Sequence, residues 1–462
     1  MKINFKDEVL KRKELIVRDT VNLLKINSEL TIFDPSNKEM PFGPGIKEAL
    51  SFMVDLAKKD GFETLNVDNY AAHVILGDIS NEYVGSIGHL DVVPAGNDWL
   101  YPPYEAKIVD NKIYARGAED DKGPTMAIYY AMKILKELNL PLKRGVKLIL
   151  ATDEETAWRG INYYFSKYPK QPVSGFIPDA DFPLIYAEKG IVRYEIKGQA
   201  TSSRIIKIIG GFKDNMVPDY ATVVINNEYQ ELALSMLEKH ILIYGVTVKK
   251  EQKEEGLQLT FSGKSAHGST PEHGVNAIDL LFNFLHTFDP ENHLIELVCT
   301  LLTNDNRGVK LGVNYQDSEM GDLTVNLGVI DYENSNYELV LNVRYPNGVD
   351  FKNLTTSLST KFEEFNAVLT DQKHQALLYN DPKSDLVKTL MQVYHENTGR
   401  IHEKPLTIGG GTFARAMKNT VAFGPHFLEK ESLIHQKNEC IDIDDLLLAI
   451  AIYADALYKL CN

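Results

Sequence analysis

Three short apolar runs that each end in ligating side chains constrain this chain more than any other feature. Tyr83–Gly88 leads into His89-Leu90-Asp91, Val146–Ala151 into Asp153-Glu154-Glu155, and Val173–Ile177 into Asp179. Runs of this length read as strands buried on both faces, the pattern of a parallel sheet covered by helices. They alternate with amphipathic segments, residues 46–59 and 126–139 among them, so a doubly wound α/β sheet is expected. In such sheets ligands collect at the carboxyl ends of the strands. His, Asp and Glu at three successive strand ends therefore mark a site.

A fourth stretch joins them. Glu119-Asp120-Asp121 stands between Gly117 and Gly123, just ahead of the helix predicted over 126–139. Taken alone, an acidic turn there is explained by the helix dipole and by solvation. Taken with the strand ends, it completes the parts of a two-metal hydrolase: a bridging carboxylate, ligands for each ion, and a base for the water. His89 and Asp91, two apart on a strand end, point the same way. That suits a ligand imidazole and a carboxylate that orients it. Asp120 can bridge. Glu154 and Glu155 are adjacent, so in extended backbone one reaches a metal while the other reaches a water. Asp179 offers an oxygen from the third strand.

Charge and length limit the rest. A net charge of −15 excludes nucleic acid and anionic membranes as partners, since both need a basic surface. At 462 residues the chain exceeds one ordinary core. The α/β texture stops after Gly190. Ile205–Ile209, Ala221–Ile225, Leu257–Phe261 and Leu339–Val343 then read as strands of an α+β insertion, with a helix at Ala277–Phe288. Helices at 386–396 and 442–460 restore the first texture. The expected organisation is a catalytic domain in two parts, 1–190 and 383–462, around an inserted domain at 191–382. Cys299, Cys440 and Cys461 have no zinc spacing and suggest a reducing compartment. The N-terminus lacks a signal-peptide core, and no stretch approaches the roughly 20 apolar residues of a membrane span. A cytoplasmic protein is expected.

The segments Gly88-His-Leu-Asp-Val-Val-Pro94, Arg116-Gly-Ala-Glu-Asp-Asp-Lys-Gly-Pro124 and Asp153-Glu-Glu155 together resemble the cocatalytic-zinc metallopeptidases. That family includes dipeptidases of the PepV type, carnosinases, aminoacylases and desuccinylases. Pro178–Pro183, Asn215–Pro218, Gly409–Thr412 and His435–Glu439 are similar to the PepV-type subgroup. The resemblance implies a zinc-exopeptidase-like, doubly wound mixed sheet with an inserted α+β lid domain. It further implies two divalent ions, zinc or manganese: His89, Asp120 and Asp179 on one, Asp120, Glu155 and His435 on the other, with a cis peptide between Asp120 and Asp121. Glu154 would be the general base for hydroxide attack on the peptide carbonyl, and Asp91 the orienter of His89. The segment Gly263–Ala277 resembles a lid motif in which His267 binds the oxyanion, with His273 peripheral. Asn215 and Arg344 match substrate-gripping positions, and Gly410 lies in a substrate-backbone loop with Thr412 and Arg415 nearby. His426 is the rival of His435. Glu119 departs from the small or apolar residue usual before the bridging Asp, which bears on metal preference. The implied activity is cleavage of dipeptides and short peptides with free termini by a monomer. Its rivals are an N-acyl amino acid deacylase or desuccinylase, and a catalytically silent scaffold.

Overall fold

A computed structural model describes residues 3–462, which divide into two compact units. Among the described residues the first comprises 3–187, 379–406 and 412–462; the second comprises 188–378 and 407–411. The short piece 407–411, placed with the closing part of the catalytic domain by its sequence position, belongs to the second unit.

The first unit is built on a mixed sheet. Six of its nine strands lie in the order Glu63–Val67, Ala71–Leu76, Gly145–Ala151, Tyr83–His89, Ser174–Ile177 and Thr420–Ala422. Tyr83–His89 runs parallel to both Gly145–Ala151 and Ser174–Ile177, and Thr420–Ala422 runs parallel to Ser174–Ile177. All seven residues of Tyr83–His89 and of Gly145–Ala151 are buried, as their unbroken apolar sequences require. The parallel pairing aligns His89 with Ala151, so the segments after both strands leave the sheet at the same edge. The helix Lys122–Glu137 packs against Tyr83–His89, and its first fourteen residues are buried. Gly88 permits that approach, because a Cβ there would stand 2.0 Å from Thr125 Oγ1. The helix Ile443–Leu460, capped by Asp442, packs on the same helix. The unit opens with two helices, Phe5–Leu10 and Lys13–Leu24. Arg12, between them, donates to Glu8 and Glu137.

The second unit carries an eight-stranded antiparallel sheet. The order is Thr247–Gln252, Gly256–Ser262, Tyr220–Asn226, Ile205–Gly210, Thr324–Glu333, Asn336–Tyr345, Gly190–Gln199, Val368–Gln375. Ala277–Phe288 and His293–Leu301 cover one face, and Leu281, Phe282, Phe284, Leu285, Leu297 and Val298 join its core. Asn276 caps the first of these helices by accepting from Ile278 N–H. Among the described residues no helix is long and apolar enough to cross a membrane.

One buried histidine makes the first unit acid-sensitive. His73, only 6% exposed, has Nδ1 2.8 Å from the Tyr164 hydroxyl. Burial, aided by the Lys147 cation, lowers its pKa from 6.5 to about 4. Its neutral form therefore supports the fold above pH 6.5, and that support is lost as the pH falls toward 4. Between pH 7 and 5 the loss is about 2 kcal/mol. In urea unfolding, His73→Phe is expected to shrink the stability difference between those two pH values by that amount. An undiminished difference would show that His73 takes up its proton without unfolding.

Candidate metal centre

The sheet edge and the turn before Lys122–Glu137 bring the ligating residues together. The turn folds over a buried carboxylate from a distant segment, Glu439. Its Oε1 accepts from the N–H groups of Gly117 (3.0 Å), Glu119 (2.8 Å) and Asp120 (3.2 Å), and its Oε2 from Arg116 Nη1 (2.5 Å). The Asp120–Asp121 peptide is cis. The two carboxylates diverge. Asp121 turns inward, where Oδ2 accepts from His89 N–H and Thr125 Oγ1, each at 2.9 Å. It thus ties the helix start to the strand end and is no ligand.

Asp120 faces the site. Its Oδ1 lies 2.9 Å from His89 Nε2, and its Oδ2 lies 2.9 Å from His435 Nε2. Each oxygen of one carboxylate thus meets a different imidazole. Asp179 Oδ2 stands 3.8 Å from His89 Nε2, on one side, and Glu155 Oε1 stands 3.1 Å from His435 Nε2, on the other. Ligand atoms of His89, Asp120 and Glu155 all lie within 4.8 Å of one another. This set of imidazole nitrogens and carboxylate oxygens fits divalent ions, with Asp120 shared between two groups of donors. His435 is held at φ +62°, a left-handed conformation that non-glycine residues seldom adopt outside turns and sites.

Electrostatics agree with a cluster built for cations. Burial raises Asp179 to about 7, with Asp120 adding to the effect, and raises Glu155 in the same direction. Burial opposes the charge of Asp120, but hydrogen bonds from His435 and His89 outweigh it and lower its pKa. Hydrogen bonds that the protonated His435 ring donates to Asp120 and Glu155 raise it to about 10. Burial pulls His89 down, and the Asp120 and Asp91 carboxylates more than reverse it.

Asp91 differs from expectation. His89 Nδ1 is 3.0 Å from the main-chain carbonyl of Asp91, whereas the carboxylate Oδ1 stands at 3.6 Å, beyond hydrogen-bond reach. The carbonyl therefore fixes the ring. The Asp91 carboxylate instead accepts from Glu155 N–H at 3.1 Å, which places a different member of the cluster. Glu154 and Glu155 lie in a turn rather than an extended strand, because Asp153 adopts φ +64°. Asp153 is buried and accepts from the N–H, Nε and Nη2 of Arg159. The two glutamates still part: Glu155 meets His435, while Glu154 makes no hydrogen bond among the described residues. Burial raises Glu154 well above the usual carboxylate range, with Asp179, Glu155 and Asp120 adding to it against His89. That is the direction suited to a group that must accept a proton.

His426 sits outside the donor set. Its Nδ1 meets Asp181 at 2.7 Å and its Nε2 the Lys430 carbonyl at 3.1 Å. Glu119 also turns away, accepting from Leu433 N–H at 3.2 Å. Thr412 caps the short turn Phe413–Ala416 by accepting from Ala414 N–H, and Arg415 is on that turn. Phe413 packs edge-on to the His89 ring.

The remaining predicted residues are in the second unit. Asn215 and His267 are neighbours: Gly268 N–H donates to the Asn215 carbonyl at 2.7 Å, and Met216 bridges His267. Arg344 is 4% exposed and donates to Asn342 Oδ1 (2.7 Å) and to the Gly409 carbonyl (3.0 Å), next to Gly410.

Sequence reasoning missed Glu439, Arg116 and the inward role of Asp121. Glu439 stood inside a quoted motif, but its partners lie more than 300 residues away, and no local pattern reveals such a pairing.

A mixed sheet whose parallel strand ends gather imidazoles around a shared carboxylate is the framework of a metal-dependent hydrolase. Residues 86–459 match Peptidase family M20/M25/M40, and the chain belongs to that family of peptide-bond hydrolases. It is 38% identical over 472 aligned residues, the full length of both chains, to the Bacillus subtilis protein named "Putative dipeptidase YtjP". A Staphylococcus epidermidis "Putative dipeptidase" is 37% identical, with 99% of each chain covered. Human carnosine dipeptidase 1 shares the fold, at a TM-score of 0.59 and 13% identity, over 99% of this chain and 98% of that one.

Proposed function

We propose that the chain is a two-metal dipeptidase that hydrolyses dipeptides and short peptides with free termini. The observation that carries this reading is the division of Asp120, one oxygen toward His89 and the other toward His435. His89, Asp120 and Asp179 would hold one ion; Asp120, Glu155 and His435 would hold the other. Divalent ions bound there would supply Lewis-acid polarisation of a carbonyl and would increase the acidity of a water. The mixed nitrogen and oxygen donors suit zinc or manganese.

The chain's own residues do the rest. Glu154 takes the proton from the attacking water and returns it to the leaving amine. His267 donates to the oxygen that gains charge as the carbonyl carbon becomes tetrahedral. Arg344, with Asn215, receives the free C-terminal carboxylate, for which a planar guanidinium is suited. Gly410, Thr412 and Arg415 line the path of the substrate backbone. The second unit acts as the lid, and the enzyme works in the cytoplasm as a monomer. The names of the full-length relatives support the choice of dipeptides over acylated amino acids.

Metal-depleted protein is expected to be silent and to regain cleavage of a free dipeptide when Zn²⁺ or Mn²⁺ is restored separately. The N-acetylated twin of that dipeptide should stay intact. Cleavage of the acetylated compound alone, at its acyl bond, would replace this reading with a deacylase. Metal binding without cleavage of either would point to a silent scaffold.

A further inference from the structure

His267 is held by more than its own loop. Val217 N–H donates to the Ala266 carbonyl at 2.9 Å and Thr270 N–H to the His267 carbonyl at 3.0 Å, which fixes the backbone on both sides of the ring. The informative contacts are on Nδ1. Ser269 approaches it twice, with its backbone N–H at 3.3 Å and its hydroxyl oxygen at 2.6 Å. A hydroxyl can donate or accept, so it alone would leave the tautomer open. A backbone N–H can only donate. With a proton on Nδ1, two N–H groups would oppose each other at that distance. Nδ1 therefore presents its lone pair to Ser269, and the ring proton resides on Nε2.

We propose that Ser269 is a positioning residue that holds His267 in the Nε2–H tautomer, so that the ring presents a donor to the substrate oxygen. This rests on the reading of His267 as the oxyanion donor and adds what makes it one. An imidazole in the other tautomer would direct a lone pair at the same place and repel the charge it is meant to stabilise. Partial burial, with the Arg344 cation second, lowers the His267 pKa, which keeps the ring neutral and leaves the tautomer as the deciding variable.

The position of Ser269 is itself set from behind. A Cβ on Gly409 would lie 2.7 Å from Ser269 Cβ and 3.2 Å from its Oγ. Gly409 is fixed in turn by its carbonyl, which accepts from Arg344 Nη1 at 3.0 Å. Arg344 Nε donates to Asn342 Oδ1 at 2.7 Å, and Asn342 Nδ2 donates to Asp214 Oδ2 at 2.8 Å, beside Asn215. Residues proposed to grip the substrate carboxylate thus form one hydrogen-bonded chain with Gly409, against which the residue that sets the His267 proton is closely packed. It also gives glycine 409 a role beyond flexibility: any side chain there displaces Ser269.

The test is the tautomer read directly. In metal-loaded enzyme labelled with ¹⁵N-histidine, long-range ¹H–¹⁵N correlation is expected to show His267 with a protonated Nε2 and a bare Nδ1. The His267→Gln variant identifies the signal. Ser269→Ala removes the 2.6 Å hydroxyl contact and leaves only the longer 3.3 Å backbone N–H, so it should weaken the preference, shifting the ring part of the way toward the other tautomer, and lower kcat on a dipeptide about tenfold, with KM nearly unchanged. Gly409→Ala should move the same signal in the same direction. A protonated Nδ1 in the unaltered enzyme overturns the proposal, as does an Ser269→Ala spectrum and kcat that match it. A shifted tautomer with undiminished kcat keeps the role of Ser269 and removes His267 from the mechanism, so the two readings fail separately.

Discussion

Replacing Glu154 by alanine is expected to lower kcat on a dipeptide by roughly 10²- to 10⁴-fold, the range of a positioned general base, while metal content stays unchanged. Glu154 is adjacent to Glu155, yet their surroundings differ. Glu155 has its N–H on Asp91 and its carboxylate on His435, so it is bound into the donor set. Glu154 makes no hydrogen bond among the described residues, and burial, with the nearby carboxylates adding to it, raises its proton affinity. The paired experiment uses that contrast. Glu155→Ala should lose metal, measured by elemental analysis after dialysis, and lose activity with it. Glu154→Ala should lose activity alone, and Glu154→Gln should be no better, since an amide cannot take up the proton. A near-normal rate in Glu154→Ala would leave the reaction without its base and require another group. Metal loss in Glu154→Ala equal to that in Glu155→Ala would mean that the two roles had been assigned to the wrong neighbours.

The legible part of this molecule is where chemistry and local pattern coincide. Buried parallel strands write themselves as continuous apolar runs, and the residues that follow them are read at once: His89, Glu154, Glu155 and Asp179 all follow from that. The helix Ala277–Phe288 was equally plain, with an Asn cap and an apolar face of standard period. The edge strand Val368–Gln375 was not, because seven of its eight residues are exposed and its sequence has no apolar alternation. Gly190–Gln199 does alternate, buried then partly exposed, but it begins where one texture gives way to another, which hides its period. Within the site, the failures were of partner rather than position. Asp91 was recognised as acting on its neighbours, but a strand-end residue offers both a carbonyl and a carboxylate, and sequence cannot say which one meets the ring. The acidic triplet 119–121 reads as one feature, yet its three carboxylates face three ways: to Leu433, to the imidazoles, and inward to the His89 backbone. A turn that folds around Glu439 decides those directions, and that residue comes from the far end of the chain.

Loss of that carboxylate is therefore expected to be the most damaging single change for the fold around the site. Glu439→Ala removes the acceptor of three backbone N–H groups and leaves Arg116, 1% exposed and stacked over Trp99, without its counter-charge. Leaving a buried charge unpaired costs about 3–5 kcal/mol. In a unit of this size the melting temperature should fall on the order of 10 °C. Glu439→Gln separates the two functions. Its amide oxygen can still accept from the N–H groups of Gly117, Glu119 and Asp120, so the turn should keep its path, while the charge opposite Arg116 is gone. Glu439→Gln should then melt below the unaltered enzyme but retain metal, and Glu439→Ala should melt lower and bind metal more weakly, because Asp120 is carried on the turn that Glu439 holds. Calorimetric melting with and without Zn²⁺ reads both effects: the metal-induced rise should persist in the amide variant and shrink in the alanine one. If Glu439→Ala melted within about a degree of the unaltered enzyme, Arg116 would have to be solvated, and the turn would owe its shape to its own sequence.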